Sequence, residues 1–148
     1  MDDVDASPLG VRLGAVVIDC ADPDRLATFW AQLLGVEKYE SIGEPVHYAG
    51  IAPPDRGAPY MSFQRVPEPK IQKNRSHVDL HVNDVEAVTA LVERLGGSRD
   101  QDFDEYGYRW RVMRDPEGNE FCLVYLRPRD SDRGARLAPS GRLPHAGS

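Results

Sequence analysis

Residues 76–97 read SHVDLHVNDVEAVTALVERLGG. Val78, Leu80 and Val82 alternate with His77, Asp79 and His81, the period-two pattern of a strand with one apolar and one polar face. Asn83-Asp84 ends the alternation, and Asp84 is placed to accept the unpaired N–H groups of a helix that follows. Val85, Val88, Leu91, Val92 and Leu95 then recur at helical spacing, and Gly96-Gly97 stops the run. Residues 15–35, AVVIDCADPDRLATFWAQLLG, repeat the same grammar. There Asp22 is the cap and Pro23 is pre-set for the first helical position. Leu26, Phe29, Trp30, Leu33 and Leu34 make the stripe, and Gly35 ends it. Laying Asp84 on Asp22 lays His77 on Ala15. The chain therefore reads as two copies of one small unit.

Each helix is followed by three strand-like runs. In the first copy these are residues 36–41, 46–51 and 59–66, separated by Gly43-Glu44-Pro45 and by the Pro/Gly-rich stretch 52–57. In the second they are 98–103, 107–114 and 119–126, with Asp115-Pro116-Glu117-Gly118-Asn119 as a turn. The expected organisation is an N-terminal lead-in at 1–10, a βαβββ unit at 11–66, a polar connector at 67–75, a second βαβββ unit at 76–126, and a disordered tail at 127–148. The domain proper is thus 11–126, of α+β class.

Composition bounds the function. The chain has 148 residues, 41% of them apolar, which suits one globular domain with a real core. No apolar run approaches the roughly 20 residues of a membrane helix. The acidic N-terminus, MDDVDASP, does not have the pattern of a secretion signal. A net charge of −6 argues against nucleic acid as a partner. Cys20 and Cys122 lie in apolar strand contexts without CxxC spacing and read as reduced core thiols. The expectation is a cytoplasmic protein that binds neither membrane nor nucleic acid.

The paired units resemble the vicinal oxygen chelate superfamily, and more narrowly its glyoxalase-like members. The likeness rests on Asp22-Pro23-Asp24, Ala27-Thr28-Phe29-Trp30, Leu33-Leu34-Gly35, Phe63-Gln64-Arg65-Val66-Pro67-Glu68, His77-Val78-Asp79-Leu80 and Asp115 to Cys122. It implies two tandem βαβββ units forming a curled mixed sheet, the glyoxalase/bleomycin resistance/dihydroxybiphenyl dioxygenase fold, with helices on the convex side. A small-molecule ligand in the cup and a C2 homodimer are further implications.

Strand alternation says what faces that cup. In the second unit it is His77, Asp79 and His81; in the first it is Ala15, Val17 and Asp19. Gln64, Cys122 and Trp110 complete the expected ligand-binding set. Asp79 and His81, two apart, are either an oriented acid–base pair or a solvated polar face. Trp110 and Tyr108 either stack on a flat ligand or pack ordinarily, and Arg109 and Arg111 belong to the opposite face.

The resemblance also implies where a divalent metal would be held, by His and Glu from the first and last strands of each unit. His77 matches such a position. Ala15 has no donor atom, Cys122 stands where a Glu is implied, and Gln64 lies near the remaining place with a weak amide ligand. No metal site of that type, and no other cofactor, is therefore expected. The functional expectation is a binding protein that sequesters a small molecule, as resistance proteins do. The alternative is a lyase or isomerase, with a metal or with His77, Asp79 or His81 as acid–base groups.

Overall fold

The computed structural model describes residues 7–125. The tail expected at 127–148 and most of the expected lead-in lie outside them. The chain divides between Pro69 and Lys70 into two compact units.

The first unit runs β1 (Ala15–Cys20), α1 (Pro23–Leu34), β2 (Tyr48–Ile51) and β3 (Tyr60–Arg65). Its sheet has the order β1-β3-β2, with β1 parallel and β2 antiparallel to β3. Asp22 Oδ1 accepts the N–H of Arg25 at 3.2 Å, so the expected cap is in place. Gly35 ends the helix in the left-handed region at φ 66°, a conformation that glycine adopts without a Cβ penalty. Leu26, Phe29 and Trp30 are buried, with Phe29 and Trp30 packed edge to face, and α1 lies on β2 and β3.

The strand expected at 36–41 does not form. Lys38 bridges Ile51 and Ile42 bridges Tyr48, both antiparallel, but the register slips by one residue between the two bridges. That extra residue breaks the ladder as a bulge does. The Lys38 and Ser41 side chains turn instead to the Asp24 carboxylate at the start of α1.

The second unit runs β4 (Asp79–Val82), α2 (Val85–Arg94), β5 (Ser98–Glu105), β6 (Tyr108–Arg114) and β7 (Glu120–Tyr125). The strand order is β4-β7-β6-β5, with β4 and β7 parallel and the other pairs antiparallel. The strand expected at 76–82 starts at Asp79, so His77 precedes it. Asp84 caps α2 through the N–H of Ala87 at 3.0 Å. The turn at 115–119 is held by Asp115 Oδ1, which accepts from the backbone N–H groups of Glu117 and Asn119.

Pleating gives this second sheet two chemically distinct faces. Arg111 of β6 lies on the helix side. Its guanidinium donates to Thr89 Oγ1 and Glu86 of α2, both at 2.9 Å, and in bidentate fashion to Asp102 of β5. Trp110, Val112, Cys122 and Val124 form a buried cluster on the other face, with Phe103 and Tyr108 packed against it.

Candidate functional site

The register of the second sheet places Asp79 of β4 beside Cys122 of β7, and His81 beside Val124. Both β4 residues therefore lie on the helix-free face. His77 Nε2 approaches Asp79 Oδ1 at 3.4 Å. One donor atom from each of His77, Asp79 and Cys122 lies within 4.8 Å of the other two. Cys122 is buried, whereas the His77 and Asp79 side chains keep partial access to solvent.

Electrostatics follows from this packing. Burial pushes the Cys122 thiol up to about 12, and the neighbouring Asp79 carboxylate adds to that by charge and by accepting the S–H hydrogen bond. Lys73 acts weakly the other way. Cys122 is therefore a protonated donor to Asp79 in this arrangement. No Lys or Arg pairs with Asp79 among the described residues; its ion-pair partner is His77.

The imidazole beside Asp79 is thus that of His77 rather than that of His81, which is exposed and makes no ion pair with Asp79 among the described residues. Sequence spacing treats His77 and His81 alike, since each is two residues from Asp79. The strand boundary separates them: His77 precedes the ladder and folds back, while His81 is fixed within it. Of the two readings of Trp110, the geometry agrees with packing inside the sheet face. Its ring is buried and stacked on Phe103, with centroids 5.2 Å apart and planes 11° from parallel. Its indole N–H is buried without an acceptor among the described residues. In the first unit Asp19 and Gln64 are register neighbours on β1 and β3, on the face away from α1. Asp19 is exposed and Gln64 half-buried.

A cleft of about 480 Å³ opens within the second unit. It shares Phe103 and Val112 with the wall that carries Cys122. Its remaining sides come from residues 70–73, the start of β5 at Asp100 and Gln101, and Arg114, Glu117, Gly118 and Glu120. Sequence reading left these residues unassigned because 67–75 looks like a polar connector. Glu120 was the available signal: a carboxylate at the start of an apolar strand needs partners when buried. It has them, in Lys70 Nζ and Arg114 Nη1, both at 3.1 Å, and the N–H of Asn74 at 3.0 Å. Burial alone would raise the Glu120 pKa; the N–H groups of Asn74 and Glu120 itself, with Lys70, outweigh it and hold the pKa below 4.5.

The implied metal arrangement can be tested on these residues. A four-ligand set divided between the units does not fit, because Ala15 carries no donor and Gln64 offers an amide. The three donors of the second unit do converge by themselves.

Two α+β units of this topology, with the helix-free sheet face carrying polar groups beside a cleft, define a protein of the vicinal oxygen chelate superfamily. The chain belongs to the glyoxalase-like domain family, whose model matches residues 15–124. Among solved structures it is similar to a glyoxalase/bleomycin resistance/dioxygenase family enzyme from Burkholderia phytofirmans, at 19% identity and a TM-score of 0.60 over 79% of this chain and all of that one. It is similar as well to the fosfomycin resistance protein FosX from Listeria monocytogenes, at 12% identity and a TM-score of 0.63 over 80% of this chain and 96% of that one. A possible glyoxalase from Bacillus cereus gives 16% identity and 0.56, over 76% and 97%. At such identities the likeness concerns the fold alone. No protein of curated function matches the sequence significantly.

Proposed function

We propose that the protein binds a small organic molecule on the helix-free face of its second unit, without the family's divided metal set. The observation that carries this reading is the cleft of about 480 Å³ against the Phe103–Val112 wall. That volume lies within the roughly 300–1,000 Å³ of ligand pockets, and apolar walls with a few convergent polar groups are what such pockets use. Of the charged groups that line the cleft, Lys70, Arg114, Asp100 and Glu120 are paired with one another, and Lys73 and Glu117 stand beside them. They suit a ligand that is largely uncharged, with an apolar part against Phe103 and hydrogen-bonding groups toward Gln72 and Gln101.

The test is a thermal-shift screen of the purified full chain against neutral small aromatic compounds and amides, with the charged antibiotics fosfomycin and bleomycin for comparison. At least one compound should raise Tm in a saturable way. Ile71 lines the cleft yet is 80% exposed, so Ile71→Asp should abolish that shift without unfolding the protein. A shift unchanged in Ile71→Asp, or no shift across the screen, would remove this cleft as the binding site.

A second reading is favoured by one distance, His77 Nε2 to Asp79 Oδ1 at 3.4 Å. A carboxylate orients an imidazole for proton transfer once the two close to hydrogen-bond range, about 2.6–3.2 Å. The protein would then be a lyase or isomerase with His77 as the base. Turnover of a bound ligand that survives chelator and is lost in His77→Gln supports this reading; binding without turnover supports the first. We take the protein to act as a homodimer in either case, which sedimentation of the full chain tests directly.

A further inference from the structure

We propose that Glu120 is the positioning residue of the cleft. Its carboxylate latches residues 70–74 in place as one wall, and the ligand is held only while that latch is shut. This rests on the small-molecule reading, but the latch itself can be read without any ligand.

Lys70, Ile71, Gln72 and Lys73 form the wall, yet the backbone does little to secure them. Residues 70–76 belong to no helix or strand, and among the described residues they make no backbone–backbone hydrogen bond. Such a segment opens easily unless side chains tie it down. The ties converge on the start of β7. Glu120 Oε1 accepts from Lys70 Nζ at 3.1 Å, and Oε2 accepts the N–H of Asn74 at 3.0 Å. The two oxygens of one carboxylate thus grip the segment at both its ends. Lys70 Nζ also donates to the carbonyl of Gln72, which draws in the stretch between. Asn74 Nδ2 adds a bond to Asn119 Oδ1 at 3.1 Å, and Asn119 is itself fixed by Asp115.

The latch is set in the rigid part of the unit. Glu120 is 8% exposed, and a carboxylate so buried depends on its donors. Arg114 of β6 is a further one at 3.1 Å and is paired in turn with Asp100 of β5. Lys70, Glu120, Arg114 and Asp100 are therefore one ion-pair chain, running from the wall through β7 and β6 to β5. The functional consequence is arithmetic. A ligand that needs the wall has its affinity scaled by the latched fraction of the protein. By linkage, the bound ligand favours the latched state by the same factor.

Trypsin reads the latch, because cleavage after Lys70, Lys73 or Arg75 requires the segment to leave the sheet. Cleavage after Arg56, exposed in a loop of the first unit, is the internal standard. In the full chain, Glu120→Gln should keep the circular dichroism of the parent and raise cleavage within 70–75 about ten-fold against Arg56. It should bind the neutral fluorescent probe N-phenyl-1-naphthylamine about ten-fold more weakly. Asn74 does not line the cleft, so Asn74→Ala separates positioning from contact. It should move cleavage and affinity the same way, each by about three-fold. Saturating probe should slow cleavage within 70–75 of the parent and leave cleavage at Arg56 unchanged. Parent-like cleavage in Glu120→Gln overturns the proposal, as does faster cleavage with undiminished probe affinity. Should Glu120→Gln not fold, parent-like cleavage and affinity in Asn74→Ala overturn it equally. A parent that binds no probe counts against the small-molecule reading alone, and cleavage still decides the latch.

Discussion

Two single positions carry backbone conformations whose cost can be measured. Tyr106 and Gly107 join β5 to β6 in a two-residue turn, with φ of 54° and 81°. Positive φ at both central residues is the type I′ pattern that favours Asn-Gly, and a left-handed residue with a bulky side chain costs about 1–2 kcal/mol. Tyr106 is 81% exposed and gives little packing in return. Tyr106→Asn should therefore stabilise the chain by about 0.5–1 kcal/mol, seen as a higher urea midpoint at an unchanged slope. Gly97 is constrained by space instead. A Cβ there would stand 2.6 Å from the Arg114 carbonyl oxygen and 2.7 Å from Val92 Cγ1. Gly97→Ala should cost about 1–3 kcal/mol, as overpacked interiors do, and the same denaturant titration reads it. The cysteines give a third residue-level expectation. Both are buried and in no disulfide, so a thiol reagent should find two thiols per chain in denaturant and react slowly with the native protein.

At the level of elements, one side chain ties α2 to its sheet. Arg111 is 3% exposed and bonds β5 through Asp102 and α2 through Thr89 and Glu86. Few large apolar contacts assist it: among the α2 residues Thr89 and Val92 are the buried ones. Hydrogen bonds to charged groups are each worth about 1.5–3 kcal/mol, and here two of the acceptors are open to solvent. Arg111→Ala should cost about 2–3 kcal/mol and raise amide exchange in α2 more than in α1. Arg111→Lys should recover only part of that, because an ammonium lacks the planar fork. This network also shows where sequence reading stops. Alternation placed Arg109 and Arg111 opposite Trp110, as the structure does. Periodicity likewise located both helices and both Asp caps, since each is set by residues three or four apart. The lost strand at 36–41 turns on a one-residue slip between bridges, which no local pattern records. The pairing of Asp79 with Cys122 needs the β4–β7 register, and those residues are far apart in the chain. The cleft required knowing that the connector at 70–73 lines a pocket instead of only joining two units.

Across the whole chain, the carboxylates that folding acidifies are distributed unevenly. In the second unit Arg111 holds Asp102 and Glu86 below their ordinary values of 3.8 and 4.5, and Glu120 is held below 4.5 against its burial. In the first unit the hydrogen bonds from Lys38 and Ser41, together with the Lys38 charge, hold Asp24 below 3.8. A carboxylate with a depressed folded-state pKa binds its proton more readily when unfolded. Its contribution to stability is complete above the unfolded value and is lost as pH falls through the folded one. The second unit therefore has more to lose in acid, and it should open first as pH drops below 4. Each unit holds one tryptophan, Trp30 in the first and Trp110 in the second. In Trp30→Phe the emission reports the second unit, and in Trp110→Phe it reports the first. The acid transition followed in Trp30→Phe should lie at higher pH than the one followed in Trp110→Phe. Asp102→Asn, which forfeits the ion pair with Arg111 at every pH, should move the second unit's transition to still higher pH and the two further apart. Coincident transitions in both reporter variants would mean that the chain unfolds in acid as one cooperative block, and that the uneven placement of its carboxylates does not decide the order.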